Sequence, residues 1–419
     1  MNRRFLIVAT VGGVLLTVVA LFFSLGGLEH LRRATATLEP PQRVGPPGLV
    51  PARLGAPDTL WLLTKREERR QGPAQRLLHF DLHGHDAATT QRRWTRRLLT
   101  VYDMSQNASA RILGLERHLV WLYVGNQPVA VSARDGSVLA TSLQLTEANP
   151  GLASTWPKQA GSFVFDGRLI VTTTDGLHWW IAADTWRATA YQPPDADRFS
   201  RARFLATDWN GGYRTTEFLT RELGSHDGRW IALYSDREAA DAADDGYGSH
   251  FKDPDGVLKD GAQARRRFHQ ATVGKTRSLG GSTPLDRIES LTPLPEGETY
   301  LQGGMLRVPG ASGAAHPGAD GGALVLHRER AEDPSPLLLS RVGPALQTRW
   351  RQPLPLIELN NRWELTGALL LLGPGAAVAD GQSVGEAIVA VNLDDGRVQS
   401  WSLRQERSLS AQAAAGPAR

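Results

Sequence analysis

The chain of 419 residues contains no cysteine. This excludes a disulfide framework, a thiolate metal site, a thiol nucleophile and a lipid-bearing cysteine. Lysine is scarce too, occurring only at Lys65, Lys158, Lys252, Lys259 and Lys275, so the net charge of +4 rests on arginine. The arginines are scattered over the whole length, without the clustering on one face that a nucleic-acid surface needs, and no nucleic-acid partner is expected. Catalytic signatures are scarce as well. Gly310-Ala311-Ser312-Gly313 lies in Gly/Ala-rich sequence that reads as a loop rather than a nucleophile elbow. Gly274-Lys275-Thr276 lacks the earlier glycine of a phosphate loop, since His269 stands in its place.

Long hydrophobic runs are lacking everywhere but at one place. Phe5 to Leu28 carries no charge and exceeds the ~20 apolar residues that cross a bilayer core as a helix. A signal peptide has a shorter apolar region and a cleavage site close behind it. Here the only A-x-A, Ala34-Thr35-Ala36, lies beyond Glu29, His30, Arg32 and Arg33. The run therefore predicts an uncleaved single-pass anchor at residues 5–28, with residues 1–4 as a cytoplasmic stub. Arg32 and Arg33 balance Arg3 and Arg4, so only the α-amino group and Glu29 favour the N-terminus staying inside. With that orientation the body is exported to the periplasm of a bacterial inner membrane. Residues 29–57, with Pro40-Pro41, Pro46-Pro47, Pro51 and Pro57, read as a stiff, extended spacer.

From Asp58 short apolar runs alternate with Gly, Asp and Asn turns: TLWLL at Thr59–Leu63, LLHFDL at Leu77–Leu82, HLVWLYV at His118–Val124 and EAIVAVNLDDG near the end. Strands this short, separated at intervals of ~8–12 residues, predict an all-β body, and a unit of ~40–50 residues predicts a propeller. Two patterns recur residue by residue. Gln91-x-Arg93-Trp94 with Leu98 matches Gln347-x-Arg349-Trp350 with Leu354. Ala130-Val131 with Asp135-Gly136 and Val138 matches Ala390-Val391 with Asp395-Gly396 and Val398. The D-G pair supplies the positive φ of a tight turn, and tryptophan is expected to staple one blade to the next.

This strand, turn and tryptophan arrangement resembles the repeats of quinoprotein-type (PQQ-like) β-propellers. The resemblance implies a propeller of six to eight blades over residues 58–404. That superfamily includes periplasmic alcohol dehydrogenases and a non-enzymatic propeller lipoprotein of outer-membrane protein assembly. Ser132 and Asn392 stand where Asp is usual, and Trp401 falls one residue late. The dehydrogenases place a vicinal cysteine pair beside the quinone, which this chain lacks; the resemblance thus points to the membrane-anchored, non-enzymatic branch.

The repeat breaks at 236–288, read as an insertion: helix-like Asp236–Ala243, an acidic Gly-rich part, and basic Gln263–His269. The two charged halves are expected to pair as a small helical lid docked by Tyr247, Phe251, Val257, Leu258 and Phe268. Loops and insertions on a rigid scaffold are where function tends to sit. Asp253, Asp255 and Asp260 around Gly256 gather oxygen ligands as a calcium loop does, without EF-hand spacing; the other reading is a solvated acidic loop. His79, Asp81 and His83 share one strand face and suit a zinc-type metal. The other reading is that Phe80 and Leu82 are buried and the polar residues face solvent. Arg265-Arg266-Arg267 reads as a solvated helix face or a contact for anionic lipid or a partner's carboxylates. Residues 405–419 are expected to be a disordered tail with nothing to bury. The function expected is an envelope scaffold or protein-interaction module with no cofactor. The alternative is a quinoprotein-like oxidoreductase or hydrolase with its site in the propeller channel.

Overall fold

A computed structural model of the chain describes residues 37–52, 57–69, 76–102, 109–192, 219–220, 222–226, 229–244, 264–277, 284–294, 298–306, 322–331, 335–376 and 385–409. The apolar run at 5–28 lies outside them. Among the described residues no helix is long and apolar enough to cross a membrane.

The described chain is mostly β, and its strands follow one another as antiparallel meanders. The first sheet contains β1 (Thr37–Leu38), β2 (Gln42–Arg43), β3 (Gly48–Val50), β4 (Thr59–Arg69), β5 (Arg76–Asp86) and β6 (Arg92–Tyr102). The second is β7 (Ala110–Glu116), β8 (Leu119–Val124), β9 (Gln127–Ser132) and β10 (Val138–Ala140), followed by helix α1 (Ser142–Ala148). The third is β11 (Phe163–Phe165), β12 (Leu169–Thr172), β13 (His178–Ile181) and β14 (Ala188–Ala190). Next come β15 (Leu219–Thr220), β16 (Glu222–His226), β17 (Arg229–Tyr234), helix α2 (Asp236–Asp244), β18 (Arg265–Arg277) and β19 (Pro284–Pro293). The fifth meander is β20 (Tyr300–Leu306), β21 (Ala323–Arg328), β22 (Leu337–Val342) and β23 (Thr348–Pro353). The start of β18 also pairs with β20, which joins the fourth and fifth meanders. The sixth is β24 (Asn361–Leu365), β25 (Ala368–Pro374), β26 (Glu386–Asn392), β27 (Val398–Ser402) and β28 (Arg407–Ser408). Consecutive four-stranded antiparallel meanders are compatible with a β-propeller.

The middle strands are apolar without interruption because both their faces are covered. On β8, Val120, Leu122 and Val124 join Trp61 and Leu63 in a core between the first two sheets. Leu119, Trp121 and Tyr123 point the other way and pack with Phe163, Leu169 and Ile181 of the third. On β25, Leu369 and Leu371 face Leu324 and Leu339 of the fifth meander. Leu370 and Leu372 face Leu60 and Leu62 of β4. The last sheet is thus packed on the first. A separate core of Leu233, Phe268, Tyr300, Met305 and Val325 joins the fourth meander to the fifth.

One turn geometry recurs between the third and fourth strands of four sheets. In each, a first residue accepts a backbone bond from the residue four later and donates one to the carbonyl five later: Asp86 with Thr90 and Gln91, Ser132 with Gly136 and Ser137, Ala182 with Trp186 and Arg187, Asn392 with Gly396 and Arg397. The fourth position after it has positive φ every time: 60° at Thr90, 69° at Gly136, 60° at Trp186 and 73° at Gly396. Ser132 and Asn392 take the part that Asp86 plays in the first sheet: Asp86 Oδ1 accepts from Ala88 N at 3.0 Å, Ser132 Oγ from Arg134 N at 3.2 Å and Asn392 Oδ1 from Asp394 N at 2.8 Å.

Three segments differ from expectation. Within the Pro-rich spacer, β1, β2 and β3 pair along β4; short extended pieces between prolines suffice for an edge. The basic end of the expected insertion is the strand β18, paired with β17 and β19, and not a helical lid. Alternation explains it: Arg266 and Phe268 are both buried, so the run R-R-R-F-H has strand period rather than a solvated helix face. The helix expected at Asp236–Ala243 is present as α2. Phe268 docks as expected, edge-on to Tyr300 at 5.9 Å, whereas Tyr247, Phe251, Val257 and Leu258 lie outside the described residues. Finally, the first part of the expected tail is ordered: β28 pairs with β27, and Leu409 is buried in the core between the fifth meander and the sixth sheet.

Candidate functional site

The donor cluster of β5 lies where the first sheet meets the last. Alternation puts His79, Asp81, His83 and His85 on one face, with Phe80 and Leu82 on the other. The expectation that the polar face meets solvent is overturned: all four polar side chains are buried, because the sixth sheet and the segment after it cover that face. His83 sits between two hydroxyls, with Nε2 2.8 Å from Thr64 Oγ1 and Nδ1 2.9 Å from Thr95 Oγ1. His85 Nδ1 donates to the Thr90 carbonyl at 2.9 Å, and its ring meets the Trp401 edge at 5.7 Å. Arg97 can only donate, so its contact to His79 Nδ1 at 2.6 Å leaves the ring proton on Nε2, which donates to Glu68 at 2.8 Å. Asp81 accepts from Arg97, with Arg66 Nε 3.7 Å away.

Metal ligation requires free lone pairs converging on one point. Here His79 and His83 are bonded through both ring nitrogens and Asp81 to Arg97, and among the described residues no group of three His, Asp or Glu side chains is arranged to hold an ion. Asp253, Asp255 and Asp260, the calcium candidates, lie outside the described residues. Burial, reinforced by the charges of Arg92 and Arg66, lowers the His83 pKa to about 4. Burial also lowers His85 to about 3, with His83 and Arg92 adding to it against the opposing Thr90 carbonyl. Both rings are neutral at pH 7 and act as fixed polar spacers.

Glu406, in the segment read as a tail, completes this layer. It accepts from Arg66 Nη2 at 2.5 Å and from Arg92. Burial alone would raise its pKa, but the bonds and charges of the two arginines outweigh that and hold it low. Arg92 also lies over the Trp401 ring, 5.7 Å from its centroid. A second bridge across the same junction is bidentate: Arg43 Nε and Nη2 each lie 2.6 Å from a Glu386 oxygen. Beside it opens a cavity of about 570 Å³ lined by Glu39, Gln42, Arg43, Glu386 and Arg404 among others. Sequence reasoning missed Glu406 because its partners lie 340 and 314 positions earlier. The only local signal was Leu409, an apolar residue past a polar run.

A second buried pair holds α2 to its sheet. Arg266, 1% exposed, makes two bonds to Glu238, at 2.9 and 2.7 Å, and one to the Gly303 carbonyl at 3.0 Å. Glu238 also closes the N-terminus of α2 by accepting from Ser235 N at 2.9 Å, while Ser235 Oγ accepts from Glu238 N at 3.3 Å. Arg267 pairs with Asp236 at 2.7 Å on the surface.

No protein-family model matches the chain, nor does any curated protein. Among solved structures, dihydro-heme d1 dehydrogenase NirN in complex with DHE is similar over 79% of this chain and 66% of that one, at 11% identity and a TM-score of 0.22. The chain therefore spans just under two thirds of that protein's length. A likeness of that size adds no weight to the strand pairing and cores above.

Proposed function

We propose that the chain is a closed β-propeller of six to eight blades with PQQ-like repeats, a non-enzymatic scaffold or interaction module of the cell envelope. In this reading Phe5–Leu28 anchors it in the inner membrane, the body stands in the periplasm, and its partner is another envelope protein. The observation that carries the reading is the packing of first sheet on last through Leu60, Leu62, Leu370 and Ile388, with Glu406 bridging to Arg66 and Arg92. A ring closed this way has no free end and presents a rigid rim. The recurring turn supports the repeat. The commitment of the β5 side chains to neighbouring strands fits a structural duty for them rather than catalysis. Two measurements test it. A reporter active only in the periplasm, fused after Arg419, is expected to be active; activity of a cytoplasm-only reporter there reverses the orientation. The purified full chain is expected to carry no stoichiometric quinone by absorbance and no stoichiometric metal by elemental analysis. Either one at one per chain would sink the scaffold reading.

A further inference from the structure

Where the start of β18 meets the fifth meander, a cavity of about 450 Å³ opens, and arginines are most of its charged lining. Arg265, Arg328 and Arg351 contribute three guanidinium groups to it, against the single carboxylate of Glu329. Their placement is built from below. Arg328 is buried and pinned by Gln302 Oε1 at 3.1 Å and the Ser335 carbonyl at 2.8 Å. Ser340 Oγ accepts from Arg351 Nε at 3.2 Å and lies 2.8 Å from His327 Nε2. Arg351 also reaches Glu298, outside the lining. His327 is buried edge-on against Tyr300 at 5.2 Å. Its burial, with the Arg351 charge, lowers its pKa to about 4, so the ring adds no charge of its own. Arg265 stands exposed at the rim and makes no ion pair among the described residues.

Like charges gathered around one cavity repel, and an anion seated among them relieves that repulsion. Guanidinium groups offer planar, bidentate donors that match carboxylate and phosphate oxygens. The volume falls within the ~300–1,000 Å³ usual for small-molecule sites. We infer that this cavity is a binding site for a small oxyanion bearing carboxylate or phosphate groups, with Arg265 and Arg351 as its principal contacts and Glu329 as an opposing charge. The site is independent of the membrane anchor and of any protein partner.

The test uses the full chain, titrated calorimetrically at pH 7.5 with citrate and, separately, with inorganic phosphate, ionic strength being held constant with sodium chloride. Saturable binding at one site per chain is expected for at least one of the two. The tighter probe tells whether carboxylates or a phosphoryl group is the natural chemistry. R265Q and R351Q are each expected to weaken binding about tenfold, as loss of one charge-assisted contact implies, with the ligand-free melting temperature within a few degrees of wild type. E329Q is expected to tighten binding a few-fold, a change that a purely structural role would not produce. No saturable binding of either anion, wild-type affinity in R265Q or R351Q, or weaker binding in E329Q would overturn the assignment.

Discussion

Trp94 meets Trp61 edge-on, with centroids 5.2 Å apart, and its ring fills the space a Cβ would need at two glycines. A Cβ at Gly84 would come within 2.2 Å of it, and one at Gly136, in the second sheet's turn, within 2.6 Å. Trp350 repeats the arrangement: a Cβ at Gly396 would lie 2.7 Å from it. The two sequence repeats thus form one device, a tryptophan on one sheet seated on the turn glycine of the next. Trp94→Ala is expected to cost about 2–4 kcal/mol in urea unfolding, somewhat below a fully buried tryptophan. Gly136→Ala is expected to destabilise as well, since it adds a clash to a φ of +69°. Loss of less than about 0.5 kcal/mol in both would show that the contact is idle. Only two of the four recurring turns were legible in the sequence, because glycine advertises positive φ. Thr90 and Trp186 adopt the same backbone at a strain cost, and nothing in their identity announces it. Titration belongs to this scale too. His83, His85 and His327 have folded pKa values near 4, 3 and 4, below the ordinary 6.5. The unfolded chain therefore binds protons that the folded chain refuses, and stability present above pH 6.5 falls as the pH drops toward 4. At 1.36 kcal/mol per unit the loss is at most roughly 3 kcal/mol for His83. The urea midpoint is expected to fall steadily between pH 7 and 4.5, and less steeply in His83→Gln. A flat profile would contradict the buried neutral rings.

The elements that were misread are those whose polar residues are buried. Strand β18 begins with three consecutive arginines, yet its middle one is almost wholly out of solvent and paired with Glu238 from α2. Removing the carboxylate leaves a buried guanidinium short of a counter-charge, which typically costs several kcal/mol. Glu238→Gln is expected to cost about 2–4 kcal/mol, partly through the lost cap on α2. Asp236→Ala, at the neighbouring pair with Asp236 mostly exposed, is expected to cost under about 1 kcal/mol. Equal effects of the two substitutions, measured by chemical denaturation, would show that burial does not distinguish them. Deletion of residues 246–267 is also informative. The stretch expected to form a helical lid includes Arg265, Arg266 and Arg267 of β18, two of which pair with β20. The deletion is therefore expected to unfold the fourth meander.

At the scale of the molecule the decisive contact joins residues more than 300 positions apart. Arg43 and Glu386 are 343 residues distant in sequence and both about one-fifth exposed. A double-mutant cycle with Arg43→Ala and Glu386→Ala is expected to give a coupling of about 0.5–1 kcal/mol. A coupling of zero would mean that this ion pair adds nothing to the junction of first and last sheets in solution. Circular dichroism is expected to be strand-dominated, since among the described residues the α-helices are the short α1 and α2.

The sequence by itself determined the β character, the positions of several strands, two turns and the tryptophan staples. These depend on local rules: apolar runs, glycine at positive φ, and spacing between turns. The runs LVWLYV of β8 and ALLLLGP of β25 have no polar alternation, in keeping with the burial of both their faces. Tertiary structure alone decided the fate of the polar face of β5, of β18 and of residues 405–409. A face of His, Asp and Arg reads as solvent-facing until a partner of matching charge arrives, and here the partners are Glu406, Glu238 and the threonines of adjacent strands. Periodicity tells which residues share a face. Which faces are covered follows from how the first sheet packs on the last, and that packing is written in no local stretch.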